Sequence, residues 1–483
     1  MKRWGFCGGA YQDTSKNVNA EVCENWVPEF TAPGNAKSPI VLKARPGLVL
    51  FGTAGSGPHR ARYEQNGRAF VLSGTTLYEA SSDGTMTSRG TVAYGSDPGS
   101  IHGNGTQLYI VSGGLGYIFT LATNVLAQIT DPQYPADVAM GFYINGHFGA
   151  ITRDSREFSI SDEFDGTAWA AADIANKSKS TDNLVGAVVD QDSHQLWLIG
   201  SQFTEVWWYS GAAGFPLEPI PNTLVQTGAA APWSWIPVGG SVYGLGQSVD
   251  GGRVVVRFQS GYTPERISHH GLEAAIQRYS PGDIASARAF SVEFEGHRCY
   301  ALSFTDRTTW VFDEATSLWH EWTYWNSDTA SKEAFLGVTH MFAFGKHLVG
   351  SRKDGQVYEL SPTYLDDAGD AIRCVRRAPY ISDGPRQFVH TRLWFDFQVG
   401  VGLVSGQGSA PVGMVRYSDD SCATWSQEMT VSLGALGVSD TMAELWALGL
   451  AGPAGRVYEL VVTDPVVRAL VDCDVDVERE RAA

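Results

Sequence analysis

A glycine-containing turn leads into a short apolar run, then a second turn, then a strand ending in an aromatic, and the chain repeats this unit. It reads "NGRAFVLSGTTLYEASSDG" from Asn66, "NGTQLYIVSGGLGYIFTL" from Asn104, "NGHFGAITRDSREFSIS" from Asn145 and "SHQLWLIGSQFTEVWWYSG" from Ser193. It returns as "GGSVYGLGQSVDGGRVVVRF" from Gly239, "GHRCYALSFTDRTTWVFD" from Gly296 and "GKHLVGSRKDGQVYEL" from Gly345. With Gly67, Gly105, Gly146, His194, Gly240, Gly296 and Gly345 as starts, the spacings are 38, 41, 48, 46, 56 and 49. Strand pairs at a period of roughly 40–50 residues mark β-propeller blades, which bury their faces only by stacking around an axis. The chain is therefore predicted to be all-β, with a propeller of six or seven blades.

The repeats set the expected boundaries. Residues 61–365 are the propeller. Residues 1–60 are a Pro-rich extended arm that contributes to its closure. Residues 366–483 lack the repeat and hold runs such as "RQFVHTRLWFDFQVGV" and "AELWALGLAGPAGRVYELVVTD", the pattern of a C-terminal β-sandwich. One segment has helical spacing: Leu272, Ala275 and Ile276 in "SHHGLEAAIQRYSPGD", with Ser268 as N-cap and Pro281-Gly282 as its stop.

Composition narrows the function classes. The net charge is −17, and the 35 basic residues are 9 Lys and 26 Arg. A protein that grips nucleic acid carries a basic surplus; this one repels phosphate on average, which suits passage of DNA without adhesion. The six cysteines are scattered without a C-x-x-C pair, so free thiols in a reducing compartment are expected. No apolar stretch follows the first basic residues and none approaches a membrane span, so the chain is read as neither exported classically nor inserted in a membrane.

"SDDSCATWS" nearly spells the Asp-box hairpin of sialidases: Ser418, Asp420, Thr424 and Trp425 are in register, and Cys422 stands where glycine is required. The box is a folding device. Glycine supplies its positive φ, so Cys422 predicts a turn that differs in detail. Catalysis on sialic acid would also need an arginine cluster and a tyrosine paired with a carboxylate, and neither declares itself by spacing. No nucleophile elbow or P-loop is present. His147, His297 and His347 sit at strand starts, as structural histidines do. His269 and Glu273 share a helix face but lack a third ligand. Asp162, Glu163 and Asp165, and Asp366, Asp367 and Asp370, read as solvated turns. The aromatics of "EVWWYS", "PWSWIP" and "WHEWTYW" read as packing between blades. No catalytic, cofactor-binding or metal-binding residue is assigned.

Several passages in order resemble one family: "KNVNAEVCENWVPEF" with "KARPGL", then "FTEVWWYSGAAGFPLEPIPNTLVQTGAAAPWSWIPVGGSVYGLG", "GYTPERISHHGLEAAIQRYS", "TTWVFDEATSLWHEW" and "VGMVRYSDDSCATWS". The combination is similar to the packaged-DNA stabilisation proteins of short-tailed bacteriophages (podoviruses), also called tail hub or nozzle proteins. The resemblance implies a structural protein without catalysis or cofactor. It implies a hexameric ring below the portal and its head–tail adaptor protein. Such a ring extends the channel through which double-stranded DNA passes non-specifically, helps retain the genome, and supports distal tail needle, tip or spike/fibre proteins. It implies a place in the virion tail after assembly in the host cytoplasm. The loops "SGAAGFPLEP" and "VGVGLVSGQGSAPVG" are expected contact or gate loops. Two readings compete: a sialidase-like propeller glycosidase, and a glycan- or receptor-binding module with exposed Trp platforms.

Overall fold

The computed structural model describes residues 2–3, 5–31, 37–248, 250–259, 261–304, 307–382 and 386–479. Seven antiparallel units follow one another: six of four strands, blade 1 over 59–91, blade 2 over 100–128, blade 3 over 138–176, blade 4 over 184–219, blade 5 over 236–266 and blade 6 over 288–326, and blade 7 with three strands over 337–361. Their innermost strands are His59–Gln65, Ser100–Gly103, Val138–Ile144, Leu184–Asp190, Ile236–Val238, Arg288–Phe294 and Gly337–Ala343. Each touches the next and the seventh touches the first, so the propeller is closed and seven-bladed.

The repeat has a physical basis. Strands within a blade are buried on both faces by the neighbouring blades, so they read as apolar runs and not as alternation. Ala69–Ser73 and Leu108–Ser112 are buried at every position. Separate apolar clusters fill the gaps: Phe70 and Leu72 with Leu108 and Phe119 between blades 1 and 2, for example, and Phe158 with Leu196 and Trp207 between blades 3 and 4. The recurring Asn-Gly steps are the tight turns. Asn66 and Gly67 have φ of 54° and 77°, and Asn145 and Gly146 have φ of 42° and 94°, the two positive values that a two-residue hairpin needs.

Blade 7 takes its fourth strand from the N-terminal region. Gly47–Thr53 pairs antiparallel with Gln356–Ser361 and ties the two ends of the ring together. The strands before it go elsewhere. Ala20–Glu24 lies between Leu318–Asn326, the outer strand of blade 6, and Cys374–Arg377, so blade 6 runs on into a sheet completed by Val457–Val462, Val412–Ser418 and Met429–Ser432. Trp26–Phe30 and Ile40–Ala44 join a second sheet with Ala469–Arg479, Phe388–Phe397 and Ala443–Leu450. Both sheets feed one core: Trp26, Leu42, Leu393, Phe395 and Leu470 from one, Cys374, Val415, Tyr458 and Leu460 from the other. Residues read from sequence as a single arm are thus divided. Those up to Ala44 pair with strands of the C-terminal third, and only Gly47–Thr53 enters the ring. An extended segment must hydrogen-bond its backbone wherever an edge is free, and no local pattern says where that edge lies.

A buried ion pair fastens the junction. Arg45 donates to Asp367 Oδ1 at 3.0 Å and Oδ2 at 2.5 Å, to Asn25 Oδ1 at 2.8 Å and to the Thr323 carbonyl at 2.8 Å. Both charged side chains are fully buried. Asp367 is therefore no solvated turn residue, and Asp370 accepts hydrogen bonds from Tyr324 and Ser327.

The helical segment is two short helices. Helix α1 spans His270–Gln277 and is capped by His269, whose Nδ1 accepts from the Leu272 N–H at 3.1 Å. Ser268 is instead drawn to the sheet, accepting from the Val255 N–H and donating to Glu273. Pro281 does not stop a helix. It opens α2, Pro281–Ala285, behind a Ser280–Asp283 capping box, because a proline at the first turn removes only an N–H that has no partner anyway.

Candidate functional site

The Asp-box stretch joins strands Val412–Ser418 and Met429–Ser432. Ser418 Oγ donates to Asp420 Oδ1 at 2.8 Å and accepts from the Cys422 N–H at 3.0 Å. Asp420 accepts from the Thr424 hydroxyl at 2.5 Å and its N–H at 2.8 Å. These bonds, the Thr424 hydroxyl foremost, hold the Asp420 carboxyl down at about 2. The expectation that Cys422 would change the turn is corrected. Cys422 has φ of 65°, the left-handed conformation that glycine would adopt there. Its side chain is buried with Ala20 and Val457, beside Tyr380 and Trp425, and this packing offsets the backbone strain. Cys422→Gly is therefore expected to be more stable than Cys422→Ala by about 1 kcal/mol, since alanine keeps the strain and gives up the packing; denaturant midpoints of the two variants measure this. Ser418, Asp420 and Thr424 are spent on the turn itself, while Ser421 donates to Asn17 and Asp419 pairs with Arg456.

A cleft of ≈ 520 Å³ lies over the sheet that joins blade 6 to the C-terminal strands, and two residues of its lining, Arg377 and Arg416, stand against Trp425. Arg377 and Arg416 lie over its ring, 5.0 and 4.6 Å from the centroid. This is the arginine cluster that a sialidase-like reading asks for, but its charges are engaged. Arg377 and Arg416 both bind the buried Glu459, and Lys332 donates to Glu24 at 2.6 Å and lies 3.5 Å from Glu321. The tyrosine present, Tyr279, packs against Phe304 with centroids 4.9 Å apart. Among the described residues no hydrogen bond joins its hydroxyl to a carboxylate. The cleft does not assemble the nucleophile pair that glycoside chemistry requires.

The other candidates are separated by the fold. His147 Nδ1 bonds the Ser161 carbonyl at 2.8 Å, and His347 Nδ1 lies 3.0 Å from His340 Nε2. His269 caps α1 and stacks on Tyr11, while Glu273 is held by Arg266. Asp165 accepts from Thr167 in a turn. Among the described residues, no three His, Cys, Asp or Glu side chains are placed to share a metal ion. Burial pushes the Cys7 and Cys23 thiols up to about 12, which removes the thiolate that nucleophilic chemistry needs. Of the quoted aromatic clusters, Trp207, Trp235, Trp319 and Trp322 are buried between blades, and Trp208 is 44% exposed.

His297 Nδ1 lies 2.9 Å from Asp313 Oδ2, with both groups buried. The hydrogen bond that His297 donates to Asp313 raises the His297 pKa. Burial pushes Asp313 up, but His297 and Thr316 together outweigh it and hold the carboxyl below its ordinary value. The histidine contribution is full below about 6.5 and is lost as pH rises through its raised folded value; the aspartate contribution is full above about 3.9 and is lost as pH falls through its depressed one. The pair thus stabilises most between about pH 4 and 6.5. Asp313→Asn is expected to flatten the fall in stability between about pH 6 and 8, followed by denaturant midpoints across pH.

Two surfaces stand out where the cavities do not. Leu403, Val404, Leu436, Val438, Met442 and Trp446 are exposed, Val404 at 87% and Trp446 at 62%. The loop carrying Leu403 and Val404 is bound to the 433–438 loop through Gly400 N–H to Leu433 O and Gly437 N–H to Gly400 O, so the two form one unit. The expected contact loop at 399–413 is part of it. On the strand Ala469–Arg479, Asp472, Asp474, Asp476 and Glu478 alternate with the buried Cys473 and Val475; Glu478 is exposed, the aspartates are half-buried, and one oxygen of Asp474 is buried.

The family model described as "Bacteriophage P22 Gp10, beta-propeller", for phage stabilisation proteins, matches residues 6–365. No curated protein matches the chain. Among solved structures it is similar to virginiamycin B lyase from Staphylococcus aureus, with TM-score 0.42 and 10% identity, over 63% of this chain and 94% of that one. It is also similar to PorZ, a bacterial surface component of the type-IX secretion system of Porphyromonas gingivalis, with TM-score 0.39 and 10% identity, over 79% of this chain and 46% of that one.

Proposed function

The chain belongs to the phage stabilisation family and is a structural component of the virion, and from that premise we propose that it is the tail hub, or nozzle, of a short-tailed phage. Copies of the chain form a hexameric ring below the portal–adaptor complex. The ring extends the DNA channel, helps retain packaged DNA and carries the distal needle, tip or spike proteins. The chain performs no catalysis.

The observation that carries this reading is the family match across the whole propeller. Three features support it. The exposed apolar side chains of the joined loops, Val404 among them, and of Trp446 on the strand Ala443–Leu450 suit contact with a neighbouring subunit, since exposed apolar surface of this kind is an interaction surface more often than an ornament. The carboxylate-lined strand Ala469–Arg479 and the net charge of −17 suit a wall that DNA passes without sticking. The propeller, with the two outer sheets read as a β-sandwich, supplies a rigid body with long loops at its ends.

Native mass of the chain mixed with the portal–adaptor complex of its own phage tests the reading. An increase matching six copies is expected. A chain that stays monomeric and unattached overturns the proposal. The double variant Val404→Asp/Trp446→Asp is expected to fold with an unchanged unfolding midpoint and to abolish the mass increase, because both side chains are exposed in the monomer and only the interface loses them.

A further inference from the structure

The seven innermost strands enclose an axial cavity of ≈ 390 Å³. Its wall is mostly apolar: Met140, Phe142, Val188, Trp235, Ile236 and others. One formal charge stands in it, the Arg62 guanidinium from blade 1, and no aspartate or glutamate lines the cavity. Among the described residues Arg62 has no ion pair within 4.0 Å and no hydrogen bond, whereas the neighbouring Arg60 is bound to the Asp97 carbonyl, the Gly74 carbonyl and Ser112. At the start of the blade 6 inner strand, Arg288 has one hydrogen bond, to the His59 carbonyl at 3.3 Å, and its buried Nε has none.

Such an arrangement asks for a counter-ion. A guanidinium removed from bulk water is ordinarily paired, because an unpaired buried charge costs several kcal/mol. Burial lowers the pKa of both Arg62 and Arg288, the latter to about 10, with Arg60 as a further repulsive neighbour of Arg288. The rest of the polar lining is uncharged and includes several hydroxyl groups. The Ser100 hydroxyl oxygen accepts from the Gly141 N–H at 3.0 Å, and its own proton remains available to donate. Burial lowers the His102 pKa to about 4, so at neutral pH it is a neutral imidazole whose N–H is engaged by the Gly141 backbone, and Arg62 is near enough to add to that shift. Ser291 and Thr339 complete the lining from blades 6 and 7. A cation beside hydroxyl donors, with low-dielectric walls and no carboxylate in the lining among the described residues, is complementary to an anion with several acceptor oxygens.

We propose that the axial cavity of the propeller is a binding site for a small oxyanion, gripped by Arg62 with the hydroxyls of Ser100 and Ser291 and with His102 in its wall. Phosphate and carboxylate share the chemistry of the site. The volume admits either, together with a few waters at about 30 Å³ each.

Thermal unfolding of the full chain in chloride, inorganic phosphate and acetate, at matched ionic strength, tests this. A ligand that binds only the folded state raises the midpoint, and a rise of a few degrees is expected in phosphate or acetate over chloride. Which of the two raises it identifies the source of the oxyanion. Arg62→Met, close in volume and uncharged, is expected to lose that rise and to be no less stable than the parent in chloride. An ordinary structural arginine would instead weaken the protein in every buffer. Should Arg62→Met fail to fold, phosphate titration of the wild-type chain followed at the His102 imidazole NMR resonance reads the same site; a saturable shift is expected. No oxyanion-specific rise, an equal rise in Arg62→Met, or an unmoved His102 signal overturns the proposal.

Discussion

Arg45→Met is expected to lower stability by about 3–5 kcal/mol, the range for removing one partner of a buried ion pair. The arginine itself is not the costly loss. Asp367 would be left fully buried without its ion-pair partner, and Asn25 and the Thr323 carbonyl would each lose a donor. These groups come from the N-terminal segment, blade 6 and the segment after blade 7, so the pair binds three distant stretches at one point. Tryptophan fluorescence against denaturant reports the effect, since Trp26 and Trp322 are buried at this junction. The double variant Arg45→Met/Asp367→Leu is expected to recover most of the loss, because a buried pair replaced by apolar side chains is often no less stable. Additive losses in the double variant would show that the two charges are not coupled, and that the destabilisation comes from disrupted packing.

The ring of blades was legible because its information is local. Each unit is a hairpin with its own turn chemistry, so Asn66-Gly67, Asn145-Gly146 and Gly296 mark the period without any distant contact. Even the unit that lacks glycine fits, since His194 has φ of 52° and takes the same backbone position. What remained hidden is non-local. Nothing around Val22 indicates that it pairs with Arg377, and nothing around Leu48 indicates that it faces Leu360. Asp367 read as one of three turn carboxylates because its partner, Arg45, lies far away in the chain. Cys422 read as a break in the Asp box because composition shows the missing glycine but not the pocket formed by Ala20 and Val457 that accepts the thiol. Arg62 carried no signal at all: one arginine among 26 becomes notable only when seven strands are drawn around it and none brings a carboxylate.

Leu48→Ala is expected to cost about 3 kcal/mol, within the 2–5 kcal/mol that buried leucine truncations show. Leu48 is fully buried on the closing strand and packs with Val349, Tyr358 and Leu360 of blade 7 and with Trp322 and Phe335. Its carbonyl also accepts from the Ala368 N–H at 2.7 Å, which fixes the chain as it leaves the ring. Leu224→Ala, at a position 38% exposed on a loop, is the matched control and is expected to stay within about 0.5 kcal/mol of the parent. The comparison separates two views of the propeller. If the N-terminal strand only decorates blade 7, truncation at Leu48 leaves the other blades protected and hydrogen exchange rises in blade 7 alone. If the strand holds a closed ring, opening it releases blade 1 from blade 7 as well, and exchange rises together in Gly337–Ala343 and in His59–Gln65, the two inner strands that meet at the seam. The second outcome is expected. A blade cannot bury both faces alone, and the seam is the one place in the ring where chain connectivity does not already hold neighbours together.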